Sequence, residues 1–74
     1  MRRFTDRTGR TWEVVPGRGS WGMHVVLFVP EGHDAEIRQA ELAVSAMERA
    51  IDEIERADQA RLQQLFDGSR HRDE

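Results

Sequence analysis

The stretch WGMHVVLFV at residues 21–29 decides the fold that the sequence predicts. Its β-branched and aromatic residues favour a β-strand, and alternate side chains of a strand point to opposite faces of a sheet. Both faces of this strand are apolar, with Val25 on one side and Val26 and Phe28 on the other. We expect both faces to be covered, because an antiparallel sheet with one wet face normally alternates apolar and polar residues.

Turn signals place two more strands before this one. Residues 6–9 (DRTG) carry Asp at the first position and Gly at the last, the pattern of a type I turn. We expect strands at residues 2–6 and 10–15, the second ended by residues 16–20 (PGRGS), because proline cannot donate a sheet hydrogen bond. The short connections favour an antiparallel meander in the order 1-2-3, which makes the third strand an edge of the sheet.

From residue 34 onward the apolar period becomes helical. Asp34 is a suitable N-cap, and Glu36 suits the first turn, where a carboxylate meets the positive end of the helix dipole. Apolar residues then recur at alternating spacings of three and four, which predicts one face of an amphipathic helix. The residues of this stripe are Ile37, Ala40, Val44, Met47, Ile51 and Ile54.

The stripe is interrupted at Asp58 and resumes at Leu62. Two interpretations compete: one helix continues to about Phe66, or the helix breaks near Ala57 and Asp58 caps a short second helix. We favour one long helix with at most a kink, because no Gly or Pro lies near Asp58. Gly68 is expected to end the helix.

The predicted fold class is therefore α+β: a three-stranded antiparallel β-meander followed by one long C-terminal amphipathic helix, with a kink allowed near Asp58. With 74 residues the chain has room for one domain, residues 1–68, and residues 69–74 form a frayed polar tail. The absence of cysteine excludes a disulfide scaffold and a cysteine-ligated metal site. No apolar run approaches the length of a membrane span, about 20 residues, so we expect a cytoplasmic protein.

All 11 basic residues are arginine, and their distribution is uneven. Lys, Asn and Tyr, which have A- and U-rich codons, are missing, so the arginine content indicates a GC-rich, bacterial genome as its origin. Residues 1–30 carry a net charge of +3 and residues 31–74 a net charge of −6. The basic half suggests an alternative function, nucleic-acid binding by an arginine-bearing sheet face. Its residues would be Arg2, Arg3, Arg7, Arg10 and Arg18, with Trp12 as a stacking platform.

Residues with catalytic or metal-binding chemistry are few. His33, Asp34 and Glu36 lie together but match no metal motif, so we interpret them as helix-start groups. Segment 16–22 is glycine-rich and could form an anion nest, but it lacks the P-loop pattern and is interpreted as a hairpin connection. Ser20 has no apparent general base. We therefore expect no catalytic, cofactor-binding or metal-binding residue, and a protein that is not an enzyme.

Two mismatches predict an oligomer. A helix of about 33 residues spans about 50 Å, whereas a strand of about nine residues spans about 30 Å, so the last helical turns would overhang the sheet. The third strand is also an apolar edge with a face that one helix cannot cover. A two-fold dimer would cover both surfaces, because a two-fold interface uses the same patch twice.

We therefore predict a small non-enzymatic protein–protein interaction module that is a homodimer or a subunit of a larger assembly. We expect its partners to be a second copy of the chain and another protein. We expect no interaction with a membrane. The expected contact residues lie in the loop before the third strand, on the second face of that strand and in the overhang: Arg18, Trp21, Val26, Phe28, Leu62, Leu65 and Phe66.

Overall fold

The computed structural model describes residues 2–32 and 36–72, which form a five-stranded antiparallel sheet and two helices. The strands lie in chain order across the sheet. They are β1 (Arg2–Thr5), β2 (Thr11–Arg18), β3 (His24–Pro30), β4 (Arg38–Glu41) and β5 (Arg70–His71), and the helices are α1 (Met47–Arg56) and α2 (Gln59–Asp67). The α+β class and the antiparallel sheet are confirmed, but the prediction of three strands and one long helix is wrong.

The first three strands form the predicted meander. The turn after β1 is closed by the Gly9 N–H, which donates to the Asp6 carbonyl oxygen at 3.0 Å, with Gly9 at φ +91°. Contrary to the prediction, Pro16 lies inside β2 and does not end it. Its missing N–H faces the β1 side, where pairing ends with Arg2 opposite Val14, so no sheet hydrogen bond is lost.

The third strand is shorter than predicted and occupies a different place in the sheet. β3 begins at His24, because residues 20–23 form a tight turn in which Trp21 and Gly22 have positive φ. It pairs with β2 on one side and β4 on the other, so it is a central strand. The prediction of an apolar edge is wrong, since a strand that the sequence analysis assigned to helix covers that edge.

Residues 38–41 form β4, where the first turns of the long helix were predicted. Ala40 and Leu42 belong to the core, whereas Gln39 and Glu41 lie on the other side of the sheet, where Gln39 pairs with Leu27. This alternation has the period of a strand. The predicted N-cap, Asp34, lies outside the described residues.

The predicted continuous helix is broken between α1 and α2. The alternative interpretation, which we did not favour, is therefore the one that the structure has. Ala57 is extended, with φ −65° and ψ 133°, and Asp58 Oδ1 accepts a hydrogen bond from the Arg61 N–H at 2.8 Å. Arg2 closes the end of α1, because its Nη1 donates to two carbonyl oxygens of the last turn at 3.2 and 2.9 Å. Side chains thus satisfy the freed backbone groups at the break, and neither Gly nor Pro is needed.

Both helices pack on one face of the sheet, and an aromatic cluster lies between them and the strands. Phe66 of α2 is central, with ring centroids of Phe4, Trp12 and Phe28 at 5.5, 4.9 and 5.2 Å from its own. Such tilted and edge-on ring pairs add to the stabilisation from burial. Neither helix is long and apolar enough to cross a membrane, within the residues that the structure describes.

The buried face of α1 is rotated from the predicted stripe. Ala50 and Ile54 are buried, whereas Ile51 is 45% exposed. The predicted stripe started at Ile37, which precedes β4 and belongs to no helix. Because the starting point was wrong, the helical face derived from it was wrong at Ile51.

Residues 69–72 lie along β4 and do not fray into solvent. Residues 70 and 71 pair with β4, and the Arg72 N–H donates to the Ile37 carbonyl oxygen at 2.7 Å. Arg38 holds the same segment through Nε to Ser69 Oγ at 2.8 Å and Nη2 to the Ser69 carbonyl oxygen at 2.7 Å. The returning chain therefore adds a fifth, two-residue strand at the edge of the sheet.

Candidate functional site

Five of the seven predicted contact residues lie in the chain's own core. Val26 and Phe28 are 0% exposed, because their face of the sheet is the one that the helices cover. Leu62 and Leu65 are buried and Phe66 is half-buried, because α2 folds back onto the sheet and leaves no overhang. These side chains hold the chain together, so the arguments that made them a contact surface do not apply.

The other two, Arg18 and Trp21, are exposed and flank the connection between β2 and β3. Trp21 is 98% exposed, in a protein whose other tryptophan is buried. It is also the one non-glycine residue with positive φ among the described residues, at φ 62° and ψ 25°. This left-handed conformation costs a bulky L-residue about 1–2 kcal/mol. Exposure and strain together make Trp21 a candidate contact residue.

Hydrogen bonds between its own backbone groups hold the connection between β2 and β3. The Gly19 N–H donates to the Met23 carbonyl oxygen at 2.7 Å, and the Met23 N–H donates to the Ser20 carbonyl oxygen at 3.2 Å. Gly22, at φ +75°, completes the turn after Trp21. We call residues 19–23 the Trp21 loop; its own hydrogen bonds present the indole to solvent.

A polar cleft of about 400 Å³ lies between the start of this loop and β5. Three arginines, Arg18, Arg70 and Arg72, lie around it, and we call it the basic cleft. Arg72 is held across the sheet: its Nη1 donates to Gln39 Oε1 at 2.9 Å and its Nη2 donates to the Arg18 carbonyl oxygen at 3.3 Å. Its remaining lining residues are Gly19, Ser20, Gln39 and His71.

The arginines of the predicted nucleic-acid face are mostly engaged elsewhere. Arg3 pairs with Glu31 at 2.9 Å, and Arg2 closes α1. Arg7 donates two hydrogen bonds to the Asp67 carboxylate, at 3.0 and 3.1 Å. These bonds, helped by one from Gln63, lower the pKa of the Asp67 carboxyl below its usual value.

Trp12, the predicted stacking platform, is buried and cannot stack on a base. Its Nε1 donates to Asp6 Oδ2 at 2.9 Å, while the Arg10 guanidinium lies over its ring at 5.1 Å from the centroid. Asp6 Oδ1 also accepts from the N–H of Thr8 and of Arg10, at 2.9 and 3.0 Å. Burial by itself would raise the pKa of Asp6, but these hydrogen bonds and that of the Thr8 hydroxyl outweigh it and lower the pKa to about 2. This network fixes the first turn and is structural.

The sheet face opposite the helices carries a half-buried apolar band, and we call this surface the open face. Leu27 lies over Gly17, close enough that a Cβ on the glycine would sit 2.7 Å from its Cδ1. Val15, Val29 and Ile37 are half-buried around the same face. No helix covers this band, because α1 and α2 both lie on the other side.

Sequence reasoning missed two of the three cleft arginines. Arg70 and Arg72 were assigned to a frayed tail, because six polar residues in a row contain no apolar period. Their spacing of two was the available signal, since it places two side chains on one face of a strand. The strand itself could not be inferred without knowing that β4 offered an edge.

No protein-family model matches this chain. Neither a curated protein nor a solved structure resembles it closely enough to count as a match. The features of this chain from which a function can be inferred are the Trp21 loop, the basic cleft and the open face.

Proposed function

We propose that the protein is a small non-enzymatic protein–protein interaction module that works as a homodimer, with Trp21 as its main contact residue. The observation that carries the proposal is the exposed indole of Trp21, whose backbone has a strained, positive φ. Tryptophan is enriched among the residues that dominate binding energy at protein interfaces. Covering about 200 Å² of an indole is worth about 5 kcal/mol at 25 cal/mol per Å², before the costs of association.

The open face is the surface that Trp21 contacts on the second copy. The apolar band of the open face is half-buried. It therefore has apolar surface that an aromatic ring could cover, without forming a large exposed hydrophobic patch. In a two-fold dimer each Trp21 lies against the open face of the other copy, and each copy contributes both elements. Met23, at 39% exposure, extends the apolar surface next to the indole.

Sedimentation equilibrium across the micromolar range tests this proposal. The wild-type protein should approach twice the 8.6 kDa chain mass, and Trp21→Ser should stay at the chain mass. Ile51→Ser is the matched control, because it removes an exposed apolar side chain from α1 on the opposite side of the sheet. It should dimerise as the wild type does. A wild type that remains a monomer at high micromolar concentration overturns the proposal.

Nucleic-acid binding is the second candidate, and one observation favours it: an exposed indole close to Arg18 could stack on a base. The net charge of −3 argues against it, because phosphates are repelled by an acidic molecule. Sub-micromolar binding of a single-stranded oligonucleotide, weakened steeply by salt and lost in Trp21→Ser, would favour this candidate over the dimer.

A further inference from the structure

We infer that the open faces of two copies of the chain pack against each other and that Glu13 of each copy forms an ion pair with Arg70 of the other. The inference rests on the proposed homodimer and adds the residues that select a second copy as the partner. A two-fold interface holds such a pair twice, because each residue meets its counterpart in both directions.

The Trp21 loop begins on the open face, so covering its indole brings the two open faces together. A Cβ on Gly19, at the start of the loop, would sit 3.0 Å from Val25 Cγ1. Val25 lies two residues before Leu27 in β3, so both side chains point to the open face. Val25 is 1% exposed although both helices lie on the other side of the sheet. The loop therefore lies over this end of the open face, and a copy that contacts Trp21 also meets the band beside it.

Glu13 is a half-buried carboxylate at one border of the apolar band. It lies directly opposite Arg3 in the register of β1 and β2, but Arg3 Nε pairs with Glu31 Oε2 at 2.9 Å. The Glu13 side chain makes no hydrogen bond or ion pair within residues 2–32 and 36–72. A second copy that covers the band removes more water from this carboxylate, so that copy has to supply a cation.

Arg70 is the cation at the opposite border of the band. It pairs with Gln39 in the register of β4 and β5, and Gln39 lies opposite Leu27, so the Arg70 side chain belongs to the open face. Arg70 is exposed, and its guanidinium has no hydrogen-bond or ion-pair partner in the described part of the chain, neighbouring Glu41 included. A guanidinium is weakly hydrated and can donate two parallel hydrogen bonds to a carboxylate, which suits a partly covered ion pair.

The order of the strands makes the charge pattern of the open face complementary to itself. Glu13 lies on β2 and Arg70 on β5, with β3 and β4 between them. A two-fold axis that runs between the facing sheets, along the boundary of β3 and β4, brings β2 of one copy over β5 of the other. The same axis brings β3, which carries Leu27, over β4. A second copy therefore places acid against base at both borders by symmetry, whereas any other partner would have to carry the matching pattern itself.

Sedimentation equilibrium of charge-reversal variants tests this ion pair. Glu13→Arg and Arg70→Glu should each raise the Kd of the dimer by at least about thirtyfold, because like charges then meet at both borders. An equimolar mixture of the two variants should dimerise with a Kd within about fivefold of the wild type, because each mixed dimer again has two contacts of opposite charge. Recovery in the mixture identifies a contact between copies, since neither variant is changed within its own chain.

Neutral variants keep the test decisive if a reversed charge unfolds the chain. Glu13→Gln and Arg70→Gln should each raise the Kd by about fivefold. The double variant should bind no more weakly than either single variant, because all three have lost the same two ion pairs. Glu41→Gln is the matched control, since it removes an exposed carboxylate from the same face, and it should keep the Kd within about twofold.

Four results would overturn the inference. A dimer that is lost in Trp21→Ser but unchanged in Glu13→Gln and Arg70→Gln would reject the ion pair and leave the proposed homodimer standing. A mixture of folded charge-reversal variants that stays at the chain mass would do the same. A Kd that depends on Glu41 and not on Glu13 would assign Arg70 to a partner in its own chain. A wild type that remains a monomer at high micromolar concentration would overturn this inference together with the proposed function.

Discussion

Replacing Asp6 by Asn should remove a pH-dependent part of the stability. Asp6 accepts hydrogen bonds from the backbone N–H of Thr8 and Arg10, from the Thr8 hydroxyl and from Trp12 Nε1. An Asn side chain offers one acceptor oxygen, and its NH₂ group would face donors. We expect a weaker first turn and a looser Trp12 in the variant, because buried donors lose their acceptor.

The magnitude follows from the pKa of Asp6. The folded-state pKa is about 2, against 3.8 for an unperturbed carboxyl. At 1.36 kcal/mol per pKa unit, this difference corresponds to about 2.4 kcal/mol. Asp6 itself is buried, but residues 7–9 of its turn are exposed, so screening by the adjoining solvent reduces the contribution to about 1–2 kcal/mol. Because the folded pKa is the lower one, the unfolded chain binds the proton first. This contribution is therefore complete above about pH 5 and is lost as the pH falls through 3.8 towards 2.

Urea denaturation of wild type and Asp6→Asn, at neutral pH and at about pH 2.5, measures this effect. The wild type should exceed the variant by about 1–2 kcal/mol at neutral pH, and the gap should shrink in acid. Asp52→Asn is the matched control, because it removes a carboxylate from an exposed ion pair and should cost about 0.5 kcal/mol or less. A gap of the same size at both pH values would refute the role given to the Asp6 carboxylate.

Three further predictions concern helix packing, capping and loop strain. Ile54→Ala should cost about 2–5 kcal/mol because Ile54 is buried, whereas Ile51→Ala should cost less than about 1 kcal/mol; equal losses in urea melts would contradict the observed face of α1. Asp58→Ala should lower the unfolding free energy by about 1 kcal/mol by removing the N-cap of α2, and an unchanged urea midpoint would show that the cap does not stabilise the fold. In urea melts at a protein concentration where the wild type is monomeric, Trp21→Gly should raise the unfolding free energy by about 0.5–1 kcal/mol, because glycine adopts positive φ without strain; a less stable variant there would show that the indole packs on its own chain.

The first half of the fold could be predicted because its signals are local. The Asp6–Gly9 turn and the β-branched strands carry their own pattern, and short connections then leave a meander as the simplest arrangement. Because of Pro16, the predicted end of β2 was too early. A proline interrupts a strand only where its missing N–H faces a paired neighbour, so its effect depends on which side of β2 has a partner. That depends on how far β1 reaches, which no local pattern shows.

The second half could not be predicted because tertiary contacts decide it. Ala40 fits both a helical stripe and a strand, and only pairing of β4 with β3 selects the strand. The helix break depends on Arg2, which lies far away in sequence and satisfies the end of α1. Arg70 and Arg72 can be recognised as cleft residues only from the structure, which places them beside Arg18. Of the candidate site, the sequence therefore identified Arg18 and Trp21.

The central claim is that Trp21 is covered by a second copy of the chain. Fluorine NMR of protein labelled with 5-fluorotryptophan tests it most directly, because the chain has two tryptophans and thus two resonances. Trp21→Ser assigns them by removing one. We predict that the Trp21 resonance moves with protein concentration, in parallel with the increase in mass, while the buried Trp12 resonance stays fixed. A Trp21 resonance that keeps the shift and solvent sensitivity of an exposed indole at every concentration would contradict the account.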